Sequence, residues 1–150
     1  MRKLILIALV AAAAAFSQQG GAPKQGATKN APSKAKKLTR AELDDLLSHP
    51  DQVLIVDVRR PDEVSSIGGF PVYLSVQAGD LEKSAAWIPK DRTIVTVSNH
   101  AARGGRAADL LASKGFKVAG TVGAEDYESE GGALTKIAVP KTANNEKKGN

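Results

Sequence analysis

The stretch Ile94–Leu111, "IVTVSNHAARGGRAADLL", decides the fold. With the preceding Thr93 it opens as a mostly apolar run with no polar alternation, the pattern of a strand covered on both faces. A short polar turn, "SNHAAR", follows, and then "RGGRAADLLASKG", a helix closed by Gly115 as a left-handed cap. The same grammar holds on either side. Upstream, "QVLIVDVRRP" carries Val53, Leu54, Ile55 and Val56 as a second fully covered strand. Pro61 ends it, and Asp62 opens a short turn of helix. In "LTRAELDDLLSHP", Thr39 caps a helix whose third residue is Glu42, the spacing of a capping box. Leu43, Leu46 and Leu47 share one face of that helix. "FPVYLSV" reads as a weaker strand and "DLEKSAAWI" as a helix with Asp80 as its cap. Downstream, "KVAGTVG" is a third core strand and "EDYESEGG" a short acidic helix. Strands alternating with helices predict an α/β domain, with a central, mostly parallel sheet and helices on both faces. In such sheets the site lies outside the carboxyl ends of the strands. That rule directs attention to "DVRRPDE" and "SNHAARGG", which it places at one rim although about forty residues separate them.

The ends of the chain differ from its middle. Arg2 and Lys3, an apolar run from Leu4 to Val10 and the small residues Ala11 to Ser17 have the order of a secretory signal peptide, with cleavage expected after Ser17. The alternative is an uncleaved anchor, but the run from Leu4 to Phe16 falls short of the ~20 residues a span needs. The expected organisation is therefore a signal peptide over 1–17, a disordered basic linker over 18–37, one domain over 38–140 and a disordered tail over 141–150. Export implies a periplasmic or secreted location. It would permit disulfides, yet the chain has no cysteine. Thiolate chemistry and thiolate-held metals are excluded on that count alone. The linker holds five lysines and no acid, whereas Leu38–Leu134 holds ten Lys/Arg against fifteen Asp/Glu. A nucleic-acid partner is not expected, since the basic charge lies in the arms and the folded part is acidic. The arms are solvated tails with, at most, weak contact to an anionic surface.

Several motifs in this order resemble the rhodanese family of single sulfurtransferase-type domains. A strand ending in Asp57, Val58 and Arg59 leads to Pro61 and Glu63. The strand "TIVTV" leads to a six-residue loop that ends in Arg103 at the start of a helix. "GRAADLLASKGF" matches the family's helix, and in "GTVGAEDYESEG" Tyr127 stands where the family has Trp. The resemblance spans about Leu38 to Leu134. It implies that position 98 is the nucleophile's, and that Asp57 and Arg59 support the loop. There are departures. The segment expected to read Gly-His-Ile-Pro-Gly-Ala is "SIGGFPVYL", the loop's usual glycine is Ala101, and the nucleophile position holds Ser98. The family reaction passes sulfur through a cysteine persulfide. A serine cannot hold that intermediate, because its hydroxyl stays protonated near neutral pH.

The expectation is an exported, catalytically inactive rhodanese-like domain. The loop Ser98, Asn99, His100, Ala101, Ala102 and Arg103 would form an anion-binding cradle at a helix N-terminus, with Arg59 at its rim. Arg103 would supply a full charge and a forked donor, and His100 a second donor if protonated. The ligand would be a small oxyanion (sulfate, thiosulfate, phosphate) or a segment of an envelope protein. The plainer alternative is that Ser98 and Asn99 satisfy backbone groups at the turn. Two further readings stay open: a sulfurtransferase-related enzyme working with a partner's thiol, and an envelope-tethered scaffold. A serine hydrolase is disfavoured because "TVSNH" lacks the flanking glycines of a nucleophile elbow. His49 and His100 stand far apart in the sequence with no paired carboxylate motif, so no metal site and no cofactor are expected. Trp87 and Tyr127 read as core or lid residues and Arg106 as water-facing. Gly104–Gly105 is unusual in a first helical turn.

Overall fold

A computed structural model describes residues 32–136. The expected signal peptide, most of the linker and the tail over 141–150 lie outside the described residues. Helix α1 (Arg40–Leu47) starts where the capping box demands: the Thr39 side chain takes the Glu42 N–H, and the Glu42 carboxylate takes the Thr39 N–H. Leu43 is fully buried beneath it, and Leu46 and Leu47 pack against the same cluster. Then follow β1 (Val53–Asp57), α2 (Pro61–Ile67) and β2 (Tyr73–Ser75). Next come α3 (Leu81–Ser84), a 3₁₀ turn over Ala85–Trp87 and β3 (Thr93–Ser98). The described chain closes with α4 (Ala102–Ser113), β4 (Val118–Gly123) and α5 (Ala124–Ser129). Asp80 precedes α3, but its side chain makes no cap bond and its backbone is already helical. Its expected role as a cap therefore does not hold.

The four strands form one sheet in the order β2-β1-β3-β4, with every pairing parallel. Strands β1 and β3 are central and covered on both faces, which is why their sequences are mostly apolar without a polar alternation. One face packs Leu43, Ile55, Phe70, Val95, Val97 and Tyr127. The other packs Val56, Leu81, Ile88, Ile94, Leu111 and Phe116. Helices therefore cover both faces: α1, α2 and α5 on one side, α3 and α4 on the other. Register brings the carboxyl ends together, with Asp57 opposite Val97 and Ser98 opposite Gly123.

The domain begins earlier than its apolar pattern indicates. Thr121 donates its N–H to the Lys36 carbonyl, and Leu38 donates its own to Thr121, both at 2.9 Å. Residues 36 and 37, assigned to the linker by composition, thus form a strap along the outer edge of β4. The strap approaches so closely that a Cβ on Gly120 would stand 2.4 Å from the Lys36 oxygen. The seat is made by backbone hydrogen bonds and glycine clearance, neither of which leaves a hydrophobic signature. At the other end, Gly69 and Thr135 exchange two backbone hydrogen bonds, at 2.9 and 2.8 Å.

Candidate functional site

Ser98 ends β3 and is 1% exposed, directly beneath the first turn of α4. Its Oγ accepts the Gly104 N–H at 2.8 Å. That bond satisfies one of the donors a helix start leaves orphaned. One more hydroxyl fastens the turn to the sheet, and another fastens β4 to β3 beside it. Thr96 Oγ1 donates to the Gly104 carbonyl at 2.8 Å, and Thr121 Oγ1 donates to the Thr96 carbonyl at 3.1 Å. The glycine pair now has a reason. A Cβ on Gly104 would lie 2.4 Å from Thr121 Oγ1, and one on Gly105 would lie 2.7 Å from the Ser33 side chain. Close approach to β4 and to Ser33 outweighs the lost helix propensity.

Ala101 occupies the left-handed region at φ 61°. A glycine would take that conformation without steric cost. Ala102 donates its N–H to the His100 carbonyl at 2.7 Å. Among the described residues, the backbone N–H groups of Asn99, His100, Ala101 and Arg103 meet no acceptor. These donors and the α4 N-terminus concentrate partial positive charge at the loop.

The side chains do not converge as the sequence implied. Arg103 Nη2 lies 2.9 Å from both oxygens of Glu63 on α2, so its charge is already paired. Asn99 Nδ2 donates to the same carboxylate at 3.0 Å, and Arg60 donates its backbone N–H to it at 2.8 Å. Burial pushes Glu63 up, but Arg103 and the Arg60 N–H outweigh it and hold the carboxyl below its ordinary range. Asn99 Oδ1 and Arg103 Nε are buried with no partner among the described residues. His100 turns outward between Glu125 and Asp126, at 3.2 and 3.4 Å. Asp126 is held below its ordinary range chiefly by Lys37 of the strap, 2.8 Å away. The expected second donor is therefore engaged with α5.

Arg59 is not at a rim. It is fully buried, clasping Asp57 through Nε and Nη2 and donating to the Gly68 carbonyl at 2.9 Å. Asp57, also fully buried, joins it in support beneath the surface. Tyr127 is a core residue, packed edge-on against Phe70, with its hydroxyl on Asp44 at 2.7 Å. Burial, then Asp44, push that hydroxyl up to about 12. Trp87 is not a core residue: it is 86% exposed. Arg106 is exposed, as its position suggested. His49 bonds Ser48 and borders a surface depression with Asp45, Gln52 and Thr93, at the amino ends of the strands. Glu63 is the residue whose role sequence reasoning missed. Its signal was the three-residue step from Arg60, which marks a carboxylate reaching back over a helix start.

The sequence model of the rhodanese-like domain family matches residues 39–123. No curated protein matches the chain. Among solved structures, the chain is similar to a rhodanese-related protein from Thermoplasma volcanium. The TM-score is 0.60 at 18% identity, over 68% of this chain and 99% of that one. It is similar to a protein of unknown function and possible tyrosine phosphatase from Rhodopseudomonas palustris. There the TM-score is 0.58 at 25% identity, over 67% of this chain and 84% of that one. It is also similar to a thiosulfate sulfurtransferase from Pseudomonas aeruginosa, with a TM-score of 0.57 at 23% identity. That match covers 67% of this chain but only 20% of the larger enzyme.

Proposed function

Because the chain belongs to the rhodanese-like domain family, we propose that it is an exported member that binds a small oxyanion at the former active loop and does not transfer sulfur. One observation carries this reading: Ser98 Oγ is buried under the helix tip and accepts the Gly104 N–H at 2.8 Å. Its hydroxyl serves the loop's architecture, and among the described residues no side-chain base bonds it. His100 faces Glu125 and Asp126 instead. Without a thiolate there is no site for a persulfide, and without a base there is no activated hydroxyl.

The unbonded N–H groups of Asn99, His100, Ala101 and Arg103 support binding. The charge balance sets its strength. Glu63 cancels Arg103, so attraction comes from backbone dipoles rather than a free guanidinium, and modest affinity is expected. Export rests on the order of charged, apolar and small residues over 1–17.

The test is a titration of the labelled protein with thiosulfate, sulfate and phosphate, following backbone amide shifts. Saturable shifts confined to residues 99–103 are expected. Shifts scattered over surface lysines would overturn the reading. In parallel, thiosulfate-to-cyanide transfer should be at background for the natural chain and should rise in Ser98→Cys. Turnover by the natural chain would refute inactivity.

A further inference from the structure

The amino ends of the strands carry a surface that the loop reading leaves unused. Trp87, the chain's sole tryptophan, is 86% exposed there at the end of the 3₁₀ turn. Five of the ten cationic side chains in Leu38–Leu134 gather near it in the chain or around the start of β3: Lys83 and Lys90 flank Trp87 in sequence, Arg92 precedes β3, and Lys114 and Lys117 follow α4. Contacts tie the segment before β3 to the turn after α4. Lys90 Nζ donates to the Lys114 carbonyl at 3.1 Å and lies 5.0 Å from the centre of the Phe116 ring. Lys114 reaches Glu82 on α3 at 3.4 Å. Ile94, two residues after Arg92, donates its N–H to the Lys117 carbonyl at 2.7 Å. Among the described residues, Lys114 alone of the five has an ion-pair partner. Glu82 and Asp91 are interspersed, and Asp45 and Asp51 stand on the α1 side of the same end. The patch is therefore basic on the α3–α4 side, within a domain that is acidic as a whole.

We propose that this end docks the protein on an anionic lipid surface, with Trp87 seated among the headgroups. Three observations favour a bilayer over an acidic polypeptide. An interfacial tryptophan has an apolar body and one donor, which suits the headgroup level. Four of the five cations are lysines, compact charges suited to a smeared negative surface rather than forked recognition of a fixed carboxylate. Around Trp87, Lys83, Ala86, Pro89 and Lys90 are exposed, so no apolar ring encloses it as a protein hot spot would require. No helix among the described residues is long and apolar enough to cross a membrane, so the contact would be superficial. Docking at this end leaves the Ser98 loop facing away from the surface, because α4 separates them by about 18 Å for its 12 residues. The inference is independent of oxyanion binding.

The chain from Gln18 is the form to use, since it lacks the apolar leader and the packing described lies within residues 32–136. Vesicles of phosphatidylcholine with and without one-third phosphatidylglycerol are added, and emission is read. With one tryptophan, the signal comes from Trp87 alone. A blue shift with anionic vesicles only, quenched by bromine-labelled acyl chains, is expected. Lys83→Gln/Lys90→Gln should weaken sedimentation with vesicles about thirtyfold, while replacing Lys24, Lys29, Lys141, Lys147 and Lys148 with Gln should leave the Trp87 shift in place. Trp87→Phe should also sediment less, with its circular dichroism unchanged. The proposal is overturned if Trp87 emission does not move, if only the arm substitutions matter, or if poly-glutamate shifts the emission while vesicles do not.

Discussion

Two arginines emerge from the two chemistry-bearing motifs, and each meets a carboxylate in a different setting. Arg59 and Asp57 are two residues apart and wholly buried. Arg103 and Glu63 are forty residues apart, with side chains 29% and 13% exposed. The first pair lies inside a sheet–helix junction and adds a bond to the Gly68 carbonyl. The second joins α2 to the loop at the edge of water. The comparison separates a weld from a latch: a buried pair cannot lose one member cheaply, whereas a water-edged pair can rearrange.

The largest effect should come from the weld. Asp57→Asn leaves the Arg59 charge buried without its counter-charge and should cost about 3–5 kcal/mol in urea unfolding. A loss below about 1 kcal/mol would erase the distinction between the pairs. Gly104→Ala comes next. Its methyl must displace the Thr121 hydroxyl that fastens β4 to β3, at a cost of roughly 1–3 kcal/mol, and the loop amides should exchange faster. Ser98→Ala removes the acceptor for the Gly104 N–H, and about 1–2 kcal/mol is expected. A neutral result would mean that water replaces the hydroxyl.

The latch should respond more to pH than to removal at neutral pH. Glu63 is held below the ordinary carboxylate range, so its stabilising share is complete above that range. It fades as pH falls through the lowered folded value. Glu63→Gln should cost less than about 1 kcal/mol at pH 7 and should flatten the acid limb of loop amide exchange. An unchanged limb would assign the acid response to Asp126. The smallest effect is a gain. Ala101→Gly relieves the left-handed backbone, offset by the freer unfolded chain, and should stabilise by about half a kcal/mol.

The scaffold was legible because its signals are local. Mostly apolar runs without alternation marked β1 and β3, the Thr39–Glu42 spacing marked α1, and strand–helix alternation put both motifs at one rim. What escaped was set by long-range geometry. Nothing near Arg103 indicates that Glu63, forty residues earlier, has taken its charge. Arg59 has the composition of a surface residue, and only the adjoining Asp57 lets it be buried. Trp87 has the composition of a core residue, yet the 3₁₀ turn aims Ala85 and Ile88 inward and leaves it outside. The strap over 36–37 has no large apolar side chain, so a lysine-rich stretch that composition marks as a tail is seated by its backbone.

That strap has a consequence for the chain's solubility. Strand β4 is a six-residue outer strand of mostly small and apolar residues, and an uncovered flank of that kind templates fibril-like pairing between molecules. Lys36 and Leu38 occupy its hydrogen-bonding groups at Thr121, and β2 at the opposite margin is only three residues long. The segment that composition marks as a tail therefore also blunts the sheet's margin, by filling donors and acceptors on which a neighbouring molecule would otherwise pair.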